Sequence, residues 1–317
     1  MSDFKQIPSI DLNDFTSGNP STKETFVKQL GDAYENIGFV AVKNHGLSDK
    51  LCKSLYSEVQ NFFNLSEEQK RTYEIEGLSG QRGYVSFGKE HAKNKNEGDL
   101  KEFWHFGQHV TDGDPIQKMY PDNIEVEELP NFNKVGLEAY NKLEDTGKQL
   151  LRAIALYLDL AEDYFEAKIH NGNSILRPIH YPPISQEPIN AVRAAEHEDI
   201  NLITLLMGAS AEGLQVQNKA GTWISVTALP EQIVVNVGDM LQRLTNNKLK
   251  STTHRVINPP KEKWNQSRYS IPFFLHPRAD VSLACLESCV NHHMPKQYSD
   301  ITAGDYLNQR IKELGLA

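Results

Sequence analysis

The sequence predicts a fold that is mainly β with α, in which a jelly roll follows a helical first half. Apolar residues recur at helical spacing through much of residues 1–160, so this region is predicted to be mostly helical. From about 175 to 280 the pattern changes to short β-type runs separated by turn residues. A helical pattern returns in the segment 281–317. Many short strands with turns between them are typical of a jelly roll.

Sequence signals for helix starts and apolar periodicity predict four helices in the first half of the chain. Ser21–Glu24 reads as a capping box that opens a helix to about Asn36, and Ser48 is predicted to cap a second helix. Ser66–Gln69 is predicted to start a short third helix. A long amphipathic helix is expected at about 133–159, because leucine and isoleucine recur along one of its faces.

The stretch 72–132 combines glycine, charge and aromatic residues and is predicted to be irregular. Asn218–Gly221 is a hairpin turn signal, and a final helix at about 302–315 is expected to pack across the barrel. No internal repeat or flexible linker is visible, so residues 1–317 are expected to form a single unit. The predicted strands are 175–181, 192–197, 200–207, 214–217, 221–226, 232–237, 252–256 and 269–275.

The composition agrees with a soluble enzyme. The formal net charge of −9 disfavours nucleic acid as a partner, because phosphate binding requires clustered lysine and arginine. The N-terminus has no signal-peptide pattern, and no apolar run approaches the roughly 18 residues of a membrane span. Three cysteines (Cys52, Cys285 and Cys289) form no disulfide framework. We therefore expect a cytoplasmic protein, monomeric and without a membrane partner.

Two histidines and an aspartate form the most informative motif. His197 and Asp199 stand two residues apart in a β-like stretch, so their side chains point to the same face. His254 lies in another β-like segment, Thr252–Val256. Two imidazoles and a carboxylate can cover one face of an octahedral ferrous ion and leave three positions open for a co-substrate and O₂. The sequence thus predicts that His197, Asp199 and His254 are metal ligands and catalytic residues.

A possible carboxylate site follows the second histidine. Arg268 and Ser270 stand two residues apart. A guanidinium offers a planar fork of N–H donors, and a serine adds a hydroxyl donor, so the pair is suited to a carboxylate. We expect iron, an organic acid and dioxygen to be held together.

Ordered motifs along nearly the whole chain resemble one family. They are Ile7–Leu12, Gly38–Gly46, Phe62–Lys70, Arg82–Tyr84, Asp99–Trp104, His197–Asp199, Gly238–Asp239, Thr245–Asn246, Ser251–Val256 and Arg268–Ser270. The chain resembles the Fe(II)- and 2-oxoglutarate-dependent oxygenases, in the branch typified by isopenicillin N synthase and the plant flavonoid and gibberellin oxygenases. This resemblance implies a double-stranded β-helix (jelly roll) at residues 175–280. It also implies oxidation of a C–H bond in a small molecule, by hydroxylation, desaturation or ring closure, with release of succinate and CO₂.

The resemblance assigns roles to matching residues. His197, Asp199 and His254 would bind Fe(II), and Arg268 and Ser270 would bind the distal carboxylate of 2-oxoglutarate. Tyr181 is expected to assist them. The plant members usually read Arg-x-Asn-x-Tyr-Pro around this tyrosine, whereas this chain has Ile179 in place of the asparagine. One polar contact to the co-substrate is therefore expected to be missing.

Further residues are candidates for the substrate pocket. In similar proteins the irregular stretch overhangs the barrel mouth, although its aromatic residues could equally cover the barrel core. Phe274 is expected to line the pocket beside the iron. His292 and His293 are predicted to be surface residues, and Asp239 to be a structural hydrogen-bond acceptor in a strand-end turn. The candidates in the irregular stretch are Arg82, Tyr84, Phe87, Phe103, Trp104 and His105.

Two other functions remain open from sequence. One is an oxidase of the same fold that takes its electrons from the substrate or from ascorbate, in which Arg268 and Ser270 would bind a substrate carboxylate. The other is a non-catalytic, cupin-like binding module, which has little need for a complete ligand set. Consumption of 2-oxoglutarate separates the first from the predicted dioxygenase, and binding of Fe(II) separates the second. The primary substrate is not identified by the sequence.

Overall fold

The computed structural model describes residues 6–78, 80–90, 98–110, 113–188, 191–208, 212–226, 229 and 231–313. The α-helices are α1 (Leu12–Thr16), α2 (Pro20–Asn36), α3 (Asp49–Phe63), α4 (Glu67–Thr72), α5 (Phe132–Tyr157), α6 (Glu166–Ile169), α7 (Asp239–Leu244) and α8 (Ala303–Glu313). The strands are β1 (Ser9–Asp11), β2 (Phe39–Lys43), β3 (Gly83–Val85), β4 (Glu102–Gly107), β5 (Ile175–Leu176), β6 (Ile179–Tyr181), β7 (Ala194–His197), β8 (Ile203–Met207), β9 (Leu214–Gln217), β10 (Trp223–Ser225), β11 (Gln232–Val237), β12 (His254–Val256) and β13 (Arg268–Leu275).

Most predicted helix starts agree with the structure. Ser48 caps α3 by accepting a hydrogen bond from the Leu51 amide, and Ser66 and Gln69 form the reciprocal capping box of α4. The capping box predicted at Ser21 is wrong. Asn19 caps α2 instead, because its side chain accepts a hydrogen bond from the Ser21 amide and Pro20 occupies the first helical position.

Two sheets face each other as a jelly roll. The larger sheet has the order β1-β2-β11-β8-β13-β5-β4-β3, and β6 pairs with both β13 and β4. The smaller sheet has the order β10-β9-β12-β7. Neighbours are antiparallel except for the parallel pair β1 and β2. The double-stranded β-helix expected for the second half is therefore present, and four strands from the first half, β1 to β4, extend its larger sheet.

The long helix α5 packs against the larger sheet and closes the main core. Tyr140 on α5 meets Phe273 on β13 edge-to-face, with ring centroids 5.0 Å apart. Gly147 allows the close approach, because a Cβ atom there would lie 2.4 Å from a methyl carbon of Leu275. The helix thus fixes β13 from behind, and the other face of that strand remains available to line a site.

The stretch 72–132 was predicted to be irregular, and this prediction is wrong for two segments. β3 and β4 pair there antiparallel, and every residue of β4 is buried. The strand was missed because it contains Glu102 and His105, which are buried with polar partners rather than exposed. Glu102 accepts a hydrogen bond of 2.7 Å from Lys70. A buried ion pair removes the alternation of polar and apolar residues that identifies a half-exposed strand.

Two further predictions need correction, whereas the final helix agrees with its prediction over the described residues. The strand expected at 175–181 is two short strands, because Pro178 lacks an N–H group for a continuous ladder. Asp239 begins α7 rather than lying in a strand-end turn. The final helix begins at Ala303 and is described as far as Glu313; the remainder of its predicted range lies outside the described residues. No helix in the described ranges is both long and apolar enough to cross a membrane.

Candidate active site

Two strands of the smaller sheet bring the predicted metal ligands together. His197 ends β7, and antiparallel pairing places His254 of β12 directly opposite it, with ring centroids 4.3 Å apart. Asp199 follows β7, and its Oδ1 atom lies 3.9 Å from Nε2 of His197 and 3.6 Å from Nε2 of His254. The candidate ligand atoms of the three residues all lie within 4.8 Å of one another.

Both imidazoles are oriented for metal binding through the same nitrogen. Nδ1 of His197 lies 2.7 Å from the carbonyl oxygen of Ala195, and Nδ1 of His254 lies 3.1 Å from that of Thr252. A carbonyl oxygen can only accept, so each Nδ1 carries the proton. The lone pairs of both Nε2 atoms therefore face the centre of the triad, as in metal sites whose histidines are held by backbone carbonyls. The donor set fits a ferrous ion with open positions.

Buried polar residues hold the carboxylate of Asp199. Its Oδ2 atom accepts hydrogen bonds from the Thr204 hydroxyl at 2.6 Å and from the Asn236 amide at 2.8 Å. The Asn201 amide donates to the same hydroxyl at 2.8 Å, which directs the hydroxyl proton toward Asp199. These partners hold Oδ2, whereas Oδ1 faces the two histidines. Sequence reasoning missed them; the available signal was a polar residue inside each of two apolar strand runs.

Each residue of the triad affects the protonation of its neighbours. Burial and the neighbouring His254 lower the pKa of His197 to about 4. Burial alone would raise the pKa of Asp199, but the two histidines, together with its hydrogen bonds, hold it far below its usual range. Burial opposes protonation of His254, yet the Asp199 carboxylate raises its pKa above the ordinary value. A divalent cation would take the place of the proton that His254 and Asp199 attract between them.

The predicted carboxylate site lies on β13 next to the triad. Antiparallel pairing with β6 sets Arg268 opposite Tyr181 and Ser270 opposite Ile179. The guanidinium carbon of Arg268 lies 4.9 Å from the centroid of the Tyr181 ring, and Arg268 is 1% exposed. These four residues and the metal triad line one cavity of about 210 Å³. Ile179 presents a hydrocarbon side chain where the resembling plant proteins usually have an amide.

The candidate substrate residues separate into three groups. His105 and Phe274 line the cavity. Phe103 lies behind Arg177, another residue of the cavity lining, and the guanidinium carbon of Arg177 is 4.3 Å from the centroid of the Phe103 ring. Three other candidates lie in the interior, away from the cavity lining: Arg82 bonded to Gln108, Tyr84 bonded to Glu102, and Trp104 packed on Phe62. Phe87 is 49% exposed. Sequence position alone could not separate these groups.

The C-terminal helix forms part of the cavity wall. Leu307, Arg310 and Ile311 of α8 line it. The Tyr306 hydroxyl donates a hydrogen bond of 2.8 Å to Asp239, so the carboxylate serves as the structural acceptor that its sequence context predicts. Burial raises the pKa of Asp239 to about 7. The expected packing of this helix across the barrel is therefore seen as a wall beside the metal triad.

Comparisons with known proteins agree with this geometry. Residues 7–128 match the family described as the non-haem dioxygenase in morphine synthesis N-terminal region, and residues 172–277 match the 2OG-Fe(II) oxygenase superfamily. A proline hydroxylase, buaE, of Petromyces alliaceus is 33% identical, over 96% of this chain and 98% of its own.

Solved structures resemble the chain over nearly its full length. A protein of the 2OG-Fe(II) oxygenase family from Caulobacter crescentus is 38% identical with a TM-score of 0.87, over 97% of this chain and 98% of its own. A full-length Neurospora crassa protein, solved with alpha-KG (2-oxoglutarate) and thymine, is 28% identical with a TM-score of 0.85, over 98% of both chains. Sequence, fold and site agree: the chain belongs to the Fe(II)- and 2-oxoglutarate-dependent oxygenases and is a dioxygenase that oxidises a small-molecule substrate.

Proposed function

We propose that His197, Asp199 and His254 hold the ferrous ion and that Arg268 and Ser270 hold the distal carboxylate of 2-oxoglutarate beside it. One observation carries the proposal: both groups of residues line the same cavity. The strands that bear them are fixed by register, since His254 faces His197 in one sheet and Arg268 faces Tyr181 in the other.

Each residue of the co-substrate site has a distinct task. Arg268 supplies a buried, charge-assisted donor pair for a carboxylate, and burial strengthens that interaction. The ring of Tyr181 covers one face of the guanidinium and limits its rotation. Ser270 adds a hydroxyl donor from the same strand face, two residues on. Ile179 supplies no polar contact, so the polar contacts of the protein to 2-oxoglutarate are concentrated at its distal carboxylate, beside Arg268.

The chain orients and shields the reacting groups. When bound, the iron and 2-oxoglutarate supply oxidation of a C–H bond by O₂, with succinate and CO₂ as co-products. Thr204 and Asn236 keep Asp199 turned toward the metal position. Leu307 and Ile311 contribute apolar side chains to the cavity wall, where they disfavour water beside the reacting groups.

The relatives suggest the kind of reaction. We infer that the chain hydroxylates a compact small molecule, because its relatives include a proline hydroxylase and a protein solved with thymine. Assignment to the isopenicillin N synthase-like branch is part of this proposal and is supported by the N-terminal family match over residues 7–128. Desaturation and ring closure are the other outcomes that the same site could give.

A substrate screen tests the proposal. The enzyme is supplied with Fe(II), 2-oxoglutarate and O₂, and succinate release is measured for each candidate compound. Mass spectrometry then shows whether the product has gained one oxygen atom or lost two hydrogen atoms. Succinate formation that depends on both iron and a substrate is the expected result. A product formed without consumption of 2-oxoglutarate would contradict the proposed roles of Arg268 and Ser270.

We also propose that residues 1–317 act as a single unit, with the mostly helical region 1–160 packed on the jelly-roll core 175–280 and the C-terminal segment 281–317 completing the wall. The packing of α5 on β13 and the position of α8 beside the triad support this organisation. Cytoplasmic location and a monomeric state remain predictions from composition. Size-exclusion chromatography with light scattering would test the latter.

A further inference from the structure

Arg177 is a cation of the cavity wall that the proposed function does not use. Its guanidinium carbon lies 4.3 Å from the ring centroid of Phe103 and 5.1 Å from that of Phe274. Its Nε atom donates to His105, and its Nη1 atom lies 3.2 Å from both carboxylate oxygens of Glu90. Among the described residues none accepts a hydrogen bond from Nη2, and Arg177 lines the cavity that holds the metal triad.

His105 is neutral in this arrangement. Its Nδ1 atom is bonded to the carbonyl oxygen of Gly80, so Nδ1 carries the proton and Nε2 accepts from Arg177. Burial and the adjacent Arg177 hold the pKa of His105 well below its ordinary value. The histidine therefore orients the guanidinium without adding a charge.

The charges around Arg177 are paired among the residues that the structure describes. Lys101 lies 2.7 Å from Oε1 of Glu90 and 2.9 Å from Oδ2 of Asp99, and both ion pairs are buried. Within the described ranges, two cations, Arg177 and Lys101, thus face two anions, Glu90 and Asp99. A carboxylate brought against Arg177 would give this buried cluster a net negative charge, which is costly in a low-dielectric site. An uncharged carbonyl oxygen can accept from Nη2 and leaves the balance intact.

The cluster is also tied to the strand that bears a metal ligand. Oδ1 of Asp99 accepts a hydrogen bond of 3.1 Å from the Ala195 amide, and the carbonyl of Ala195 is the group that orients His197. Arg177 is therefore fixed, through Lys101 and Asp99, relative to the metal position. A substrate group bound to Nη2 would be held at a defined place with respect to the iron.

We propose that Arg177 selects the primary substrate, and that the selected class is a compact, uncharged molecule with a carbonyl oxygen, such as a cyclic amide or imide. The carbonyl accepts from Nη2 while the rest of the molecule lies beside Phe274. This inference rests on the proposed function, since it takes the triad as the iron site. Lys101 is a positioning residue that keeps Glu90 and Asp99 paired.

Calorimetric binding to the anaerobic enzyme loaded with Fe(II) and 2-oxoglutarate tests the proposal. The neutral probes are thymine and 2-pyrrolidinone, and the carboxylate probes are proline and benzoate. We expect at least one neutral probe to bind more tightly than both carboxylates, and Arg177→Met to weaken its binding at least tenfold, as for loss of a hydrogen bond to a charged group. Arg152→Met is the matched control, because Arg152 pairs with Glu166 outside the cavity lining.

Two further measurements keep the result interpretable. Arg177→Lys keeps the charge but loses the second amino group, so it should fold as wild type and still bind the neutral probe less tightly. The dissociation constant of 2-oxoglutarate should change less than twofold in both Arg177 variants. Carboxylates that bind at least as tightly as every neutral probe, or Arg177 and Arg152 variants that behave alike, would overturn the proposal. Wild-type enzyme that fails to bind 2-oxoglutarate would instead refute the proposed function.

Discussion

The Thr204 hydroxyl lies 2.6 Å from Oδ2 of Asp199, on the carboxylate oxygen that does not face the histidines. Thr204 belongs to β8, in the larger sheet, whereas Asp199 follows β7 of the smaller one. The proposed metal ligand Asp199 is therefore oriented by a strand of the opposite sheet.

Thr204→Val should weaken iron binding without unfolding the protein. Valine has nearly the same shape but cannot donate to Asp199, and partners of metal ligands typically affect metal affinity by about 10–100-fold. Titration of Fe(II) under anaerobic conditions measures the effect. Thr146→Val is the matched control, since Thr146 is also buried but its hydroxyl bonds to helix and loop carbonyls. Equal iron affinity in the two variants would contradict the orienting role.

His197→Ala and Asp199→Ala should each abolish turnover, because each removes one of three ligands from the metal site. The fold should survive, because strand pairing and core packing close the barrel without metal. Succinate release at limiting iron measures turnover, and circular dichroism during heating measures folding. Activity like that of wild type in either variant would refute the ligand assignment.

Arg268→Ala should raise the apparent KM for 2-oxoglutarate at least tenfold, since truncating one partner of a buried charge pair costs roughly 2–5 kcal/mol. Arg268→Lys should recover only part of the loss, because lysine lacks the planar fork. Ser270→Ala should cost less, about 1 kcal/mol, as for one hydrogen bond. Steady-state kinetics at saturating iron measure all three variants, and Fe(II) affinity should remain nearly unchanged.

Unchanged binding of 2-oxoglutarate by Arg268→Ala would assign the arginine another role. If Arg268→Ala binds 2-oxoglutarate as wild type does but loses affinity for the primary substrate, the arginine holds a substrate carboxylate. The chain would then use the site as the oxidases of this fold do. Direct binding of 2-oxoglutarate, measured by calorimetry, distinguishes the two cases.

Stability should fall as the pH drops from about 6.5 toward 4, in part because of His276. Burial lowers the pKa of this histidine to about 4 in the folded protein, whereas an unfolded chain has its ordinary value near 6.5. The unfolded state therefore binds the proton first, and stability present above pH 6.5 is lost below it. For this one group the loss between pH 7 and pH 5 is about 2 kcal/mol.

Urea unfolding at pH 7 and pH 5 tests the role of His276. His276→Asn removes the titrating group, so its loss of stability between these two pH values should be smaller than that of wild type by about 2 kcal/mol. His292→Asn, at an exposed histidine, should behave as wild type. Equal pH dependence in wild type and His276→Asn would show that this side chain does not contribute.

Local signals explain which parts of the fold were predictable. Ser48 and Ser66 mark helix starts through bonds to amides a few residues away, and α5 follows from its long apolar stripe. β4 could not be identified, because the hydrogen-bond partners of Glu102 and His105, which allow both side chains to be buried, are distant in sequence. The choice of Asn19 over Ser21 as the cap of α2 depends on Pro20, whose value as a first helical residue outweighs the capping-box pattern.

The residues of the candidate site also differ in how far they could be predicted from sequence. His197, Asp199 and His254 could be grouped by residue type and spacing, because metal chemistry restricts both. Arg177 could not be recognised, since its role depends on packing between Phe103 and Phe274 and on a charge balance with Glu90. The spacing of residues along the chain can indicate which of them could bind one ion. It does not indicate which charged side chains form pairs in the folded interior.

Because His197 and His254 lie directly opposite each other, binding of one iron ion by both depends on the register of β7 and β12. A slip of one residue between β7 and β12 would turn one imidazole to the other face of the sheet, where it could not share an ion with its partner. Chains that paired these edges wrongly would bind iron weakly, whereas correctly paired chains are stabilised by it. Ferrous iron would thus favour chains with the correct strand register during folding, before any substrate is present.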